Sequence, residues 1–209
     1  MIKSKEDLEF YLDADKFALN RKTNKPRIHD EIWKFQILLR KTEYYKNIKP
    51  TFLSKILLPI YQLRKHRLGI KLGFDIPINV FGAGLRINHF GNIVVSPSAK
   101  IGMWCDIHQG VNIGSNNSQH GGSLVPTIGS NVWIGPGAKI FGKIIIEDEV
   151  QIAANAVINK NVTSNKTLGG VPAKIISETG TENVDVAASK YRMLKFIELN
   201  PQYEHYFNI

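Results

Sequence analysis

The sequence predicts a mainly β chain: a parallel β-solenoid preceded by an α-helical region and followed by a short C-terminal helix. Three observations predict it. Isoleucine recurs every six residues at positions 128, 134, 140, 146, 152 and 158, and Val95, Ile101, Ile107 and Ile113 keep the same spacing. The texture of the chain changes at residue 74, where Lys and Arg thin out and Gly, Asn, Val and Ile take over. Before that point apolar residues recur at helical intervals instead.

Residues 1–73 are expected to form a basic α-helical region. Leu8, Tyr11, Leu12 and Leu19 keep near-helical spacing, as do Ile32, Phe35, Leu38 and Leu39 after the acidic start Asp30-Glu31. A third stretch, about residues 51–70, follows Pro50, and Pro59 is expected to kink or break it. The whole net charge of +9 belongs here: residues 1–73 hold 17 Lys and Arg against 8 Asp and Glu, and the remainder holds 10 of each. The density is highest at Arg64-Lys65-His66-Arg67. Such a surface suits nucleic acid, anionic lipid or a phosphorylated molecule, or is simply a solvated helix face. No zinc-finger spacing or aromatic–basic strand signature accompanies it, so nucleic acid is not expected as a partner. Peripheral contact with a membrane surface stays open.

Residues 74–176 are expected to form the solenoid. Six is not a helical period, but it suits a short strand plus a corner, three such units closing one triangular coil. The aliphatic residue then points inward and stacks on its counterparts. A small or branched residue lies two positions before most of them (Ala99, Cys105, Val111, Val132, Ala138, Ile144, Val150, Ala156) and is expected to serve the tight corners. The period breaks twice. Eight residues separate Ile87 from Val95, so His89-Phe90-Gly91-Asn92 is expected to bulge. Fifteen separate Ile113 from Ile128, so Ser115 to Val125 is expected to leave the coil as a loop. Insertions in solenoids gather on a functional face, which makes both breaks candidate site walls. Counting units places His89, His108 and Trp133 near one edge in successive coils.

Residues 177–209 are expected to form a helix over 184–199 (Val186, Tyr191, Leu194, Ile197) and an aromatic tail. That tail, with Tyr203, Tyr206 and Phe207, is expected to pack on another part of an assembly. Apolar residues make up 43% and charged residues 22%, a globular balance. No stretch is apolar for long enough to span a bilayer. A single cysteine, Cys105, excludes an internal disulfide, and the N-terminal stretch lacks a signal peptide's apolar core, so the expected compartment is the cytoplasm.

An ordered set of segments then carries a family resemblance. They are Asp75-Ile76, Asn88-His89-Phe90-Gly91-Asn92-Ile93-Val94-Val95, Gln109-Gly110-Val111-Asn112-Ile113-Gly114, Pro126-Thr127-Ile128-Gly129-Ser130-Asn131-Val132-Trp133-Ile134-Gly135 and Gly170-Val171-Pro172-Ala173-Lys174. This set, covering roughly residues 72–176, resembles the hexapeptide-repeat acyltransferases and, within them, the serine acetyltransferase branch. The resemblance implies a left-handed parallel β-helix that uses acetyl-CoA as co-substrate for O-acetyl transfer. Such a transfer needs a base for the alcohol proton and donors for the tetrahedral oxyanion, and a neutral imidazole suits the first task near pH 7. By resemblance the base is His89, oriented by Asp75. Asn88, His108, His120 and Trp133 become candidates for binding the acceptor. His108 is equally open to a structural role, and nothing fixes the direction of His120. The co-substrate would lie in a groove between neighbouring solenoids, near Gly135-Pro136 and Ala153-Ala154, with Lys174 toward the phosphates. Corner packing is the alternative for the two alanines. Sites between subunits imply a homotrimer, or a dimer of trimers if the helical regions pair.

The sequence also departs from the branch. An Arg-His pair precedes the family's counterpart of Pro126, and here Leu124 and Val125 stand in its place. The favoured acceptor is therefore a sugar hydroxyl of a surface polysaccharide, and the alternative is serine, feeding cysteine synthesis. The branch often ends in isoleucine, which docks into the next enzyme of that pathway, and this sequence ends in Asn208-Ile209. No metal is expected, because His89, His108 and His120 lack the close histidine pair of the carbonic anhydrases on this fold. In a non-catalytic scaffold, the remaining class, His89 would be replaceable.

Overall fold

The structure, a computed structural model, describes residues 1–115, 124–181 and 188–207. Three helices come first: α1 (Lys5–Ala18), α2 (Glu31–Asn47) and α3 (Phe52–Leu72). α1 starts at a capping box, in which the Asp7 N–H donates to Ser4 Oγ at 2.9 Å and the Ser4 N–H donates to the Asp7 carboxylate at 2.9 Å. Thr51 and Ser54 start α3 in the same way, and Gly73, at φ +76°, ends it in the left-handed conformation that glycine adopts without penalty. The break expected at Pro59 does not occur. Pro59 deprives the Lys55 carbonyl of its helical donor, but both residues are exposed, so the lost bond leaves no buried polar group stranded. On α1 the buried row is Phe10, Tyr11, Ala14 and Ala18, whereas Leu8, Leu12 and Leu19 are only half-buried.

From Phe74 onward, strands of two or three residues rotate through three sheets. Ile93–Val95 lies on the first, Lys100–Ile101 on the second, Asp106–Ile107 on the third, and Asn112–Gly114 returns to the first. Three hexads thus make one turn, and like residues stack on like. Val95, Ile113, Ile140 and Ile158 form one ladder, Ile101, Ile128 and Ile146 the second, and Ile87, Ile107, Ile134, Ile152 and Leu168 the third. All are buried, each stabilising the coil by roughly 1.5–3 kcal/mol. The pairing of Ile107 with Ile134 shows that the three-sheet order is kept on either side of residues 116–123, so most of the expected Ser115–Val125 loop lies outside the described residues. Pairing is parallel throughout the coil until Lys174–Ser177 closes antiparallel on Thr167–Gly169.

The corners differ from expectation. Ala99, Cys105, Val111, Val132, Ala138, Ile144, Val150 and Ala156 are all buried and point into the core rather than making the turn. The turning itself falls to left-handed residues, among them Asn131, Asn155 and Asn165 at φ between +53° and +58°. Asparagine tolerates that region better than other side chains do.

The helices share the coil's core through Phe35, Leu39 and Leu72. A second core ties the two ends of the chain together. α4 (Ser189–Leu199) and a 3-10 helix (Pro201–Tyr206) lay Phe196, Tyr203 and Phe207 against Phe10, Ala14 and Trp104. The aromatic tail therefore packs on α1 of its own chain. The Tyr203 and Tyr206 hydroxyls donate to Asp13 and Asp7 at 2.8 and 2.9 Å. No described helix is long and apolar enough to cross a membrane.

Candidate functional site

One corner of the coil collects most of the candidate residues. The ladder Ile87, Ile107, Ile134, Ile152, Leu168 sets the register of the residues just past each strand: Asn88, His108, Gly135, Ala153 and Gly169 succeed one another along a single edge. The row begins with an amide and an imidazole and continues as small residues. Beside it stand the rings of His89 and Trp133, with centroids 6.1 and 4.8 Å from that of His108. His89 and Phe90 sit on the bulge between Ile87 and Ile93, and Phe90 is 71% exposed. The far end of the bulge is pinned to the end of α3 by the Gly91 N–H on the Leu72 carbonyl, 2.9 Å.

His108 is the most constrained of these groups. Asn88 Nδ2 lies 3.0 Å from its Nε2. An amide nitrogen only donates, so Nε2 accepts, and the neutral ring carries its proton on Nδ1. Burial pushes the pKa of His108 down to about 4, reinforced by His89 and Arg86 and opposed by Asp106. The ring is thus neutral at pH 7, with its only basic nitrogen already engaged.

The expected pairing of His89 with Asp75 does not form. Asp75 is exposed, in register with Val94 on the next strand of the same sheet, and its charge is felt by Lys65. Among the described residues no hydrogen bond joins it to His89. Asp75 opens the first sheet, and His89 lies on the bulge that leads into that sheet's next strand.

The remaining candidates line the lower part of the edge. A Cβ on Gly135 would stand 2.7 Å from the Ile152 carbonyl oxygen, 2.8 Å from the Trp133 ring and 2.9 Å from the Ala154 nitrogen. The missing side chain at 135 leaves the space that the Trp133 ring takes up. Pro136 and Ala153 are half-buried, and Ala154 and Lys174 are exposed. His120 lies outside the described residues, as does the terminal Asn208-Ile209.

Sequence reasoning missed Asp106. Its carboxylate, in a residue only 1% exposed, accepts from Arg86 Nη1 at 3.2 Å and from Arg192 Nη2 at 2.5 Å. Arg86, Asp106 and Trp133 occupy one outward column, each just before an inward isoleucine. Counting hexads could have found the first pair, whereas Arg192 arrives from α4.

Residues 126–160 match the bacterial transferase hexapeptide (six repeats) family. Over 122 residues the chain is 35% identical to the serine acetyltransferase of Synechococcus elongatus, covering 58% of this chain and 50% of that protein. Over 111 residues it is 38% identical to the serine acetyltransferase of Mycobacterium tuberculosis, covering 53% and 48%. The chain therefore spans about half the length of these curated relatives. The solved serine acetyltransferase from Brucella abortus in complex with coenzyme A matches 84% of this chain and 70% of its own, with a TM-score of 0.64 and 27% identity. These relatives correct the expectation of a polysaccharide acceptor. That expectation weighed two side chains, Leu124 and Val125, against a likeness that extends over more than half of the chain, and nothing in the likeness points to a polysaccharide.

Proposed function

We propose that this chain, a hexapeptide-repeat protein related to the serine acetyltransferases, is an acetyl-CoA-dependent O-acetyltransferase whose acceptor is the hydroxyl of L-serine. The observation that carries the reading is the corner row: an imidazole pair at its head and a track of small residues below it. The relatives' names supply the acceptor.

In this reading His89 is the base. It is exposed and reachable, whereas His108 has its acceptor nitrogen taken and its basicity depressed. His89 removes the hydroxyl proton as the oxygen bonds to the thioester carbonyl carbon. The C–S bond then breaks, and the proton passes to the departing sulfur. Asn88 fixes His108, leaving its Nδ1–H to donate to the acceptor, and Trp133 walls the acceptor in. Gly135, Pro136, Ala153 and Ala154 give the pantetheine arm close passage along the backbone, and Lys174 meets the phosphates. Asp75 has no part in the reading. The coil is taken as left-handed and the assembly as a homotrimer with sites between subunits, working in the cytoplasm.

Thiol release from acetyl-CoA tests the proposal, with L-serine and a panel of saccharides offered as acceptors. Turnover is expected with L-serine, falling about 10²- to 10⁴-fold in His89→Ala, the range typical of a lost general base. No release with L-serine would overturn the acceptor, and an unimpaired His89→Ala would overturn the base.

A further inference from the structure

Between the end of α1, the coil and α4 lies a second cavity, of about 520 Å³, that acetyl transfer does not use. Five cations line it, Arg21, Lys22, Arg86, Arg192 and Lys195, and no acid is among the lining residues. Tyr191, 55% exposed, stands with them. Three carboxylates answer these cations from outside the lining. Asp106 takes both Arg86 and Arg192, Asp30 takes Arg21 at 3.0 Å, and Glu198 lies 3.4 Å from Lys195. Two positive charges remain in surplus, and Lys22 has no ion pair among the described residues.

The charge of the lining carries the inference. Five cations converge on one cavity with no acid in its wall, and three of them belong to guanidinium groups. Like charges gathered at one cleft repel one another, which a bound anion relieves. A guanidinium fork fits phosphate oxygens two at a time, and a phosphate group near neutral pH carries up to two negative charges, matching the surplus. The volume lies in the range of small-molecule sites and is too small for a macromolecular surface.

We propose that this cavity binds the phosphate or diphosphate group of a small molecule, held by Arg21, Arg192 and Arg86, with Lys22 and Lys195 at the mouth. The site is separate from the groove assigned to acetyl-CoA, and the inference does not depend on the acetyltransferase reading.

Isothermal titration of the full chain with inorganic pyrophosphate, and separately with inorganic phosphate, tests it. Saturable one-to-one binding is expected for at least one of the two. The stronger ligand tells whether the site takes one phosphate group or two. The double variant Lys22→Gln/Lys195→Gln changes one exposed and one half-buried surface side chain, so its thermal midpoint should stay close to the wild type while its affinity falls at least ~10-fold. Arg64→Gln/Arg67→Gln removes equal charge from the basic face of α3 and should leave the affinity unchanged. Absence of saturable binding, an equal loss in the two variants, or displacement of pyrophosphate by acetyl-CoA would each overturn the proposal.

Discussion

His108 occupies a slot where burial opposes its charge, and the consequence is measurable in pH. Its folded pKa, about 4, lies below the ordinary 6.5. Between those values the unfolded chain binds a proton that the folded chain refuses, so this residue's contribution to stability is whole above pH 6.5 and drains away as pH falls toward 4. An NMR titration of its ring should show a midpoint near 4. In His108→Gln, the decline of the urea midpoint between pH 6.5 and 4 should be shallower than in the wild type. An ordinary imidazole midpoint would mean that the ring is better solvated than its contacts with Trp133 and Asn88 imply. Gly135 makes a second residue-scale prediction. Any side chain there must displace the Trp133 ring or the Ile152 and Ala154 backbone, so Gly135→Ala should cost roughly 1–3 kcal/mol of stability, read as a lower denaturant midpoint. The neighbourhood of His89, His108 and Trp133 was legible in the sequence, because hexad counting gives register. The depressed basicity of His108 was not, since it depends on how deeply a ring is covered, and spacing does not encode that.

At the scale of elements, α2 is fastened to the coil by one buried cation. Arg40 donates to Asp15 at 2.8 and 3.2 Å, to Glu43 at 3.1 Å, and to the carbonyls of Phe81 and Gly82 at 2.9 and 2.6 Å. Burial alone would lower its pKa, but the two carboxylates more than offset this and hold the guanidinium charged. Asp15 in turn accepts the Leu85 N–H at 2.9 Å, so α1, α2 and the start of the coil meet at one charge cluster. Arg40→Met should cost about 3–5 kcal/mol, because it strands Asp15 and Glu43 in the interior. Replacing all three residues by apolar ones of similar volume should restore much of that loss, as equilibrium unfolding of the triple variant would reveal. The helices themselves could be read from periodicity, but this joint could not. Two of Arg40's acceptors are backbone carbonyls, and so is the Leu85 carbonyl to which Gln36 Nε2 donates at 2.6 Å. A pattern of side chains is silent about such partners.

At the scale of the whole molecule, the coil was legible because its period repeats in every turn. The closure of the chain was not, because it happens once, between segments 190 residues apart. The aromatic tail read from sequence as a surface in search of a partner. Its partner is Phe10, whose ring stacks on Tyr206 at 4.1 Å and meets Tyr203 and Phe207 at 5.3 and 5.7 Å. Phe196 completes the cluster, 5.3 Å from Trp104, a coil residue. Helices, coil and tail therefore share their buried surface and should unfold together. Phe196→Ala, which empties a fully buried site, should cost about 3–5 kcal/mol and shift the far-UV dichroism and tryptophan fluorescence transitions by the same amount. Packing within one chain further requires that this loss be the same at low and high protein concentration. A loss that shrinks as concentration rises would place Phe196 in a contact between subunits, since association stabilises by mass action and folding of a single chain does not.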